Sequence, residues 1–269
     1  MLEHADLPPP AEAGDSSAIG VERYDVRAYE VNGRRELTVP ALCNYLQNAA
    51  SNHARALGFG IAALEAQGLT WVLCRLRLVL VRTPMWHNTV TIETWPSELN
   101  RVCAFREFGI YDSAGGQIGA ATTSWMVLNS ARRRPVGLPG FVREVALARR
   151  TRLVELPEVN LVWPAGATPV ASQSWRAGGS DLDFNQHVNH VRYIAWCLDT
   201  LPPALADGSR LQELDIQFLA ELGPEENVTV ETTDASGEGG VAYMHRLRRV
   251  DDGVVLALAR TVWAAGAMA

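Results

Sequence analysis

At 269 residues with 48% hydrophobic side chains, the chain has enough apolar material for one large domain or two of ordinary size. A formal charge of −6 argues against general nucleic-acid binding, a local basic patch aside, and no apolar run approaches the roughly 20 residues that span a bilayer. All 24 basic residues are Arg, which reads as a base-composition bias of the source genome. Cys43, Cys74, Cys103 and Cys197 lack any C-x-x-C spacing, so they indicate neither a zinc site nor a disulfide framework. The first residues carry neither a basic n-region nor an apolar h-region, and the expectation is a cytoplasmic protein.

Residues 1–20, rich in Pro, Ala, Gly and acids, read as a mobile tail. Beyond them "YDVRAYEVN" alternates like a strand. Pro40 then opens a helix whose Leu42, Tyr45, Leu46, Ala49, Ala50 and Leu57 share one face, stopped by Gly58 and Gly60. Four strands follow, "TWVLCRLRLVLV", "NTVTIETWPSE", "RVCAFREFGIYDS" and "IGAATTSWMVLNS". The order then repeats: "ASQSWRA" as a strand, a helix over 189–201, and the strands "LQELDIQFLAEL", "NVTVETTDA", "VAYMHRLRRVDD" and "VVLALARTVWAA". Thr91-Ile92-Glu93-Thr94 and Thr229-Val230-Glu231-Thr232 lie 138 apart, as do Trp125 and Trp263. The expectation is an internally duplicated α+β chain, with halves at 21–140 and 169–269 joined by a linker over 141–168. In each half an antiparallel sheet curls around one long central helix. Matching Asn44 to Asn189 puts Thr38, Pro40 and Leu42 in the places of Asp183, Asn185 and His187, so the first half is expected to lack that polar triplet.

The triplet itself lies in "SDLDFNQHVNHVRYIAWCLD", residues 180–199. On an extended segment, Asp183, Asn185 and His187 point to one side, and the helix that follows aims its positive end at the same spot. Such a place suits a developing negative charge. Other readings fit the same residues. Asp183 and Asn185 also suit helix capping, Asp183 with His187 and His190 suits a metal ion, and Glu221 beside Gly223-Pro224 suits a solvated turn. His53 reads as a satisfied histidine and Cys197 as a packing residue. Any of Trp71, Trp86, Trp95 and Trp125 is a core residue before it is a tunnel lining.

"SDLDFNQHVNHVRYIAW" closely resembles the signature of the acyl-acyl carrier protein (acyl-ACP) thioesterases, and "CNYLQNAASNH", "TPMWHNTVTIETW" and "TTSWMVLNSARRRP" are similar to further segments of that family in the same order. The resemblance runs from about Arg23 to Trp263. It implies a tandem hotdog fold and hydrolysis of the fatty acyl-ACP thioester, with neither metal nor organic cofactor. The implied partner is an acyl carrier protein bearing its chain on a phosphopantetheine arm. Residue by residue it marks Asp183, Asn185, His187 and Glu221 as catalytic, Glu221 because "IQFLAELG" is similar to the family strand that ends in Glu-Cys-Gly. The Cys place is taken here by Leu222, which excludes a thiol nucleophile there, and His190 stands where the family usually has Asn.

The chemistry expected from these residues makes Glu221 a general base toward water. Asn185 and His187 polarise the carbonyl, aided by N–H groups near Val188 and Asn189, and Asp183 orients the Asn and His side chains. A carboxylate acting as covalent nucleophile is the alternative. An acidic carrier calls for a basic docking face, for which Arg132, Arg133 and Arg134, the run Arg149 to Arg152, and Arg246, Arg248 and Arg249 are the candidates. The first half is expected to hold the acyl chain. An acyl-CoA thioesterase of the same fold, a hotdog 3-hydroxyacyl-thioester dehydratase and a non-enzymatic acyl sensor are the rival readings. Acyl chain length, saturation and a homodimer are left open.

Overall fold

The computed structural model describes residues 18–144, 147, 152–202, 205, 209–237 and 240–265. The expected tail lies outside these residues up to 17, and so do Arg149 and Arg150. The chain divides between Leu156 and Pro157 into two compact units.

The first unit contains β1 (Gly20–Asp25), α1 (Val39–Ala56), α2 (Ile61–Glu65), β2 (Leu69–Leu80), β3 (Thr89–Leu99), β4 (Cys103–Tyr111), β5 (Gln117–Asn129), β6 (Arg134–Val136) and α3 (Gly140–Arg143). Its strands pair antiparallel in the order β1-β3-β4-β5-β2, with β6 added to the end of β5. Helix α1 starts where expected because Thr38 caps it, its hydroxyl accepting from the Ala41 N–H at 3.3 Å, while Pro40 sits in the first turn where no N–H is needed. The helix buries Leu42, Tyr45, Leu46, Ala49, Ala50 and His53 toward β1 and β3, and Gly58 ends it with φ 82°. The expected strand "YDVRAYEVN" stops at Asp25, and Ala28–Glu30 forms a 3-10 turn. The Glu30 carboxylate closes that turn by accepting from the Arg27 N–H at 2.9 Å and from the Tyr45 hydroxyl of α1 at 2.5 Å.

The second unit contains β7 (Ala171–Arg176), α4 (His190–Asp199), β8 (Ser209–Phe218), β9 (Asn227–Asp234), β10 (Val241–Arg249) and β11 (Val255–Ala265). They form an antiparallel sheet in the order β8-β11-β10-β9-β7. Helix α4 packs on β9 and β10 and buries Val191, Tyr193, Ile194, Trp196 and Cys197. Strand β8 ends at Phe218, four residues before the expected Leu222. There the N–H groups of Leu219 and Ala220 both turn onto the Leu256 carbonyl, at 2.8 and 3.1 Å, and leave the ladder. Glu221 therefore rides on a turn past the strand.

The expected linker is fastened at both ends. Leu153 and Val154 donate their N–H groups to the Glu107 carboxylate (2.9 Å) and the Thr122 hydroxyl (3.2 Å) of the first unit. Leu161 donates to Gln217 at 3.1 Å, and Trp163 lies under the Arg246 guanidinium at 4.4 Å, both in the second unit.

Backbone pairing corrects the expected match between the halves. Thr94 pairs with Gly20 as Thr232 pairs with Ala171, so the offset of 138 holds for β3 and β9. The helix caps Thr38 and Asn189, however, are 151 apart, as are the positive-φ residues Arg35 (63°) and Gln186 (60°). Asn44 is thus not the counterpart of Asn189. The counterparts of Asp183, Asn185 and His187 are Asn32, Arg34 and Glu36. At the other offset the counterpart of Glu221 is Thr83, since the Leu37 N–H reaches Pro84 O at 2.8 Å as the Val188 N–H reaches Leu222 O at 2.9 Å. The first half keeps a polar triplet of different chemistry.

Candidate active site

The loop before α4 is built around Asp183. Its carboxylate accepts the backbone N–H of Asn185 at 2.8 Å and of His187 at 3.3 Å, and its own N–H reaches His187 O at 2.7 Å. Gln186 closes the turn in the left-handed region, donating to Asp183 O at 3.1 Å. Asp183 therefore orients the backbones of Asn185 and His187, where the sequence suggested their side chains. The structure corrects the helix-capping reading of Asp183 and Asn185: the cap of α4 is Asn189, whose side chain accepts from the Val191 N–H at 2.9 Å, while Asp183 closes its own loop. Asn185 is exposed and Phe184 beside it is 61% exposed.

Glu221 is brought to this loop from beyond β8. Its Oε2 lies 3.5 Å from His187 Nε2, with both side chains about one-third exposed (37% and 31%), so the pair meets solvent and each other. Four hydrogen bonds hold the turn. Leu222 is fully buried, donates its N–H to the Tyr193 hydroxyl of α4 at 2.9 Å, and accepts from Val188. Arg249, at the end of β10, donates to the Glu221 carbonyl at 2.9 Å and pairs with Asp252 at 3.1 Å. The Gly223 N–H reaches the Glu226 carboxylate at 2.6 Å. Leu222 in the Cys place thus acts as an apolar anchor.

Tyr193 and Arg249 are positioning residues that sequence reasoning missed in this role. Tyr193 fell on the buried helical face and read as core, and only its hydroxyl hints at a partner. Arg249 was expected on a docking face, but its guanidinium is spent on the Glu221 turn.

Two further expectations change. The N–H groups of Val188 and Asn189 are engaged, with Leu222 O at 2.9 Å and Asp181 O at 2.8 Å, so neither is available as an oxyanion donor. Among the described residues the first helical N–H without a partner is that of His190. Arg246 and Arg248 both grip the Glu231 carboxylate, at 2.9 to 3.2 Å, and lower its pKa against the opposing effect of burial. Arg152 pairs with Glu98 at 2.6 Å and stacks over Phe105. Arg132 and Arg133, in the turn between β5 and β6, and Arg134, the first residue of β6, are exposed. No group of three His, Cys, Asp or Glu among the described residues is placed to hold a metal ion.

Comparison with known proteins decides what this arrangement belongs to. Residues 20–145 match the acyl-ACP thioesterase N-terminal domain, and residues 170–265 match the acyl-ACP thioesterase C-terminal domain. The chain belongs to the acyl-ACP thioesterase family. It is 30% identical to oleoyl-acyl carrier protein thioesterase 1 of Arabidopsis thaliana, over 90% of this chain and 75% of that one. It is also 30% identical to the palmitoyl-acyl carrier protein thioesterase of Gossypium hirsutum, over 90% of this chain and 63% of that one. Among solved structures, an acyl-ACP thioesterase from Bacteroides thetaiotaomicron superposes with a TM-score of 0.81 at 27% identity, covering 92% of this chain and 98% of its own. The 12:0-ACP thioesterase of Umbellularia californica gives 0.83 at 25%, covering 92% and 94%. The fold is the tandem hotdog of this family, and the chain is a thioester hydrolase.

Proposed function

We propose that this acyl-ACP thioesterase family member releases fatty acids from acyl carrier protein by water attack in its second unit. The 3.5 Å approach of Glu221 to His187 carries the reading, because it sets a carboxylate and an imidazole side by side, open to water, at the start of a helix. Glu221 takes a proton from water as its oxygen bonds to the acyl carbon. His187, Asn185 and the His190 backbone N–H donate toward the carbonyl oxygen as it becomes an oxyanion. The C–S bond then breaks and the proton held by Glu221 passes to the departing pantetheine sulfur. Asp183, Tyr193 and Arg249 keep the two catalytic segments in register. The exposed segment Arg132–Arg134 is the proposed docking face for the acidic carrier.

Free-thiol release on matched acyl-ACP and acyl-CoA panels, from about C8 to C18, tests the reading. Release that His187→Ala abolishes is expected, with faster turnover on the carrier. Single-turnover hydrolysis in isotopically labelled water is expected to label only the fatty acid. Label in the carboxylate of Glu221 or Asp183 would replace general-base chemistry with a covalent anhydride. Charge reversal at Arg132–Arg134 is expected to raise KM for acyl-ACP and spare acyl-CoA. Equal effects on both would remove the docking assignment.

A further inference from the structure

His190 opens α4 three residues after His187. Its ring meets Phe218, the last residue of β8, edge-on at 5.9 Å and 82°. Phe218 in turn meets Tyr193 edge-on at 5.8 Å, and Tyr193 holds the Leu222 N–H beside Glu221. The imidazole thus stands between the helix start that follows His187 and the strand end that delivers Glu221. His190 is half-buried, neither ring nitrogen has a hydrogen-bond partner among the described residues, and desolvation lowers the pKa of the group to about 4. At neutral pH the ring therefore carries one N–H donor and no charge.

The fold does not ask for this imidazole. At the same position of α1, directly after the cap Thr38, the first unit has Val39. The ring is partly exposed and meets no protein partner, so the group its N–H can meet is one that arrives from solvent. What arrives in a thioesterase is a carbonyl whose oxygen gains charge. Two backbone donors that might have met it, Val188 and Asn189, are already engaged. We propose that His190 is a further catalytic residue, whose neutral ring donates an N–H to the thioester carbonyl beside His187 and Asn185 while Glu221 handles the attacking water. The proposal rests on the thioester-hydrolase reading above.

Two variants and one spectroscopic reading test it. His190→Val, which copies the first unit, is expected to keep the fold and lower kcat by about tenfold or more with KM little changed, the effect of losing one transition-state donor. His190→Asn keeps an N–H and is expected to retain most of the activity. In the wild-type protein, the His190 ring nitrogens are expected to shift on binding an acyl-pantetheine analogue in which an amide replaces the thioester. Wild-type turnover in His190→Val overturns the proposal. So do unmoved ring nitrogens in the wild type with analogue bound, whatever the variants do. A wild-type protein that releases no thiol from any acyl thioester overturns the hydrolase reading itself, a separate outcome.

Discussion

The loop over 32–36 in the first unit and the loop over 183–187 in the second have nearly the same backbone and opposite chemistry. In both, the first side chain accepts the N–H groups two and four residues on: Asn32 from Arg34 and Glu36 at 2.9 and 3.1 Å, Asp183 from Asn185 and His187 at 2.8 and 3.3 Å. In both, the fourth residue has positive φ, and the turn opposite carries another at His87 (68°) or Glu225 (64°). The side chains then diverge. Glu36 is gripped from its own loop, by Arg34 Nε at 2.9 Å and Asn32 Nδ2 at 3.0 Å, whereas His187 faces Glu221 from another segment. The fold therefore requires an acceptor at the first loop position and a left-handed residue at the fourth. The third and fifth positions, and the residue on the opposite turn, are free to carry function.

The largest expected effect comes from breaking the pair that only the second loop has. Glu221→Ala or His187→Ala should each lower kcat/KM by roughly 10² or more, the usual worth of a positioned acid or base. The same change at Glu36 or Thr83 should stay within about twofold, as expected of surface sites outside the chemistry. Equal losses at both loops would mean that the chemistry is shared between the halves.

Asp183 sharpens the comparison, because its counterpart Asn32 does the same backbone work with an amide oxygen. Asp183→Asn should keep most of the activity, and Asp183→Ala should cost about tenfold or more as the loop loses its internal acceptor. If Asp183→Asn is as damaging as Asp183→Ala, the carboxylate charge itself enters the reaction.

A smaller effect is expected at Tyr193. Tyr193→Phe leaves the buried Leu222 N–H without its acceptor, at a cost of about 1–3 kcal/mol read by denaturant unfolding, and loosens Glu221 enough to lower kcat a few-fold. Unchanged stability would show that the hydroxyl does not hold that turn.

The last effect is pH-dependent and concerns stability. Burial holds His245 at about 3, its ring between the hydroxyls of Thr232 (2.8 Å) and Thr261 (3.1 Å), and His190 at about 4. Below the ordinary imidazole value near 6.5 the unfolded chain binds protons that the folded chain refuses. Stability is thus intact above about pH 6.5 and falls as the pH drops toward those folded values. Melting scans from pH 7 to 4 should show the fall, and His245→Gln, which can keep both hydroxyl partners, should flatten it.

Much of this was legible in the sequence. Strands β2 to β5 and β8 to β11 follow their alternation within a few residues, and Pro40 marked the first helix. The motif over 183–187 announced itself through residue types that no core needs. Hidden were features set by contacts distant in sequence. Glu30 reaching Tyr45 turned an expected strand into a 3-10 turn, and Leu256 drew the end of β8 away so that Glu221 left the sheet. The match between the halves failed because it equated two Asn residues, whereas the helices start at caps of different identity, Thr38 and Asn189. The offset then falls from 151 to 138 between the helix start and the strands, and the longer α1, with 18 residues to 10 in α4, supplies only part of that change. The engagement of the Val188 and Asn189 N–H groups, and the commitment of Arg249 to Glu221, are backbone facts that residue types do not encode.

The most direct test is thiol release from one acyl-ACP substrate by wild type, Glu221→Gln and Glu36→Gln side by side. Each change replaces a carboxylate with a neutral side chain of the same shape, one in each loop system. The expected result is turnover lost by roughly 10² or more in Glu221→Gln and unchanged in Glu36→Gln. Retained turnover in Glu221→Gln would contradict a general base at that position and with it the assignment of the chemistry to the second unit.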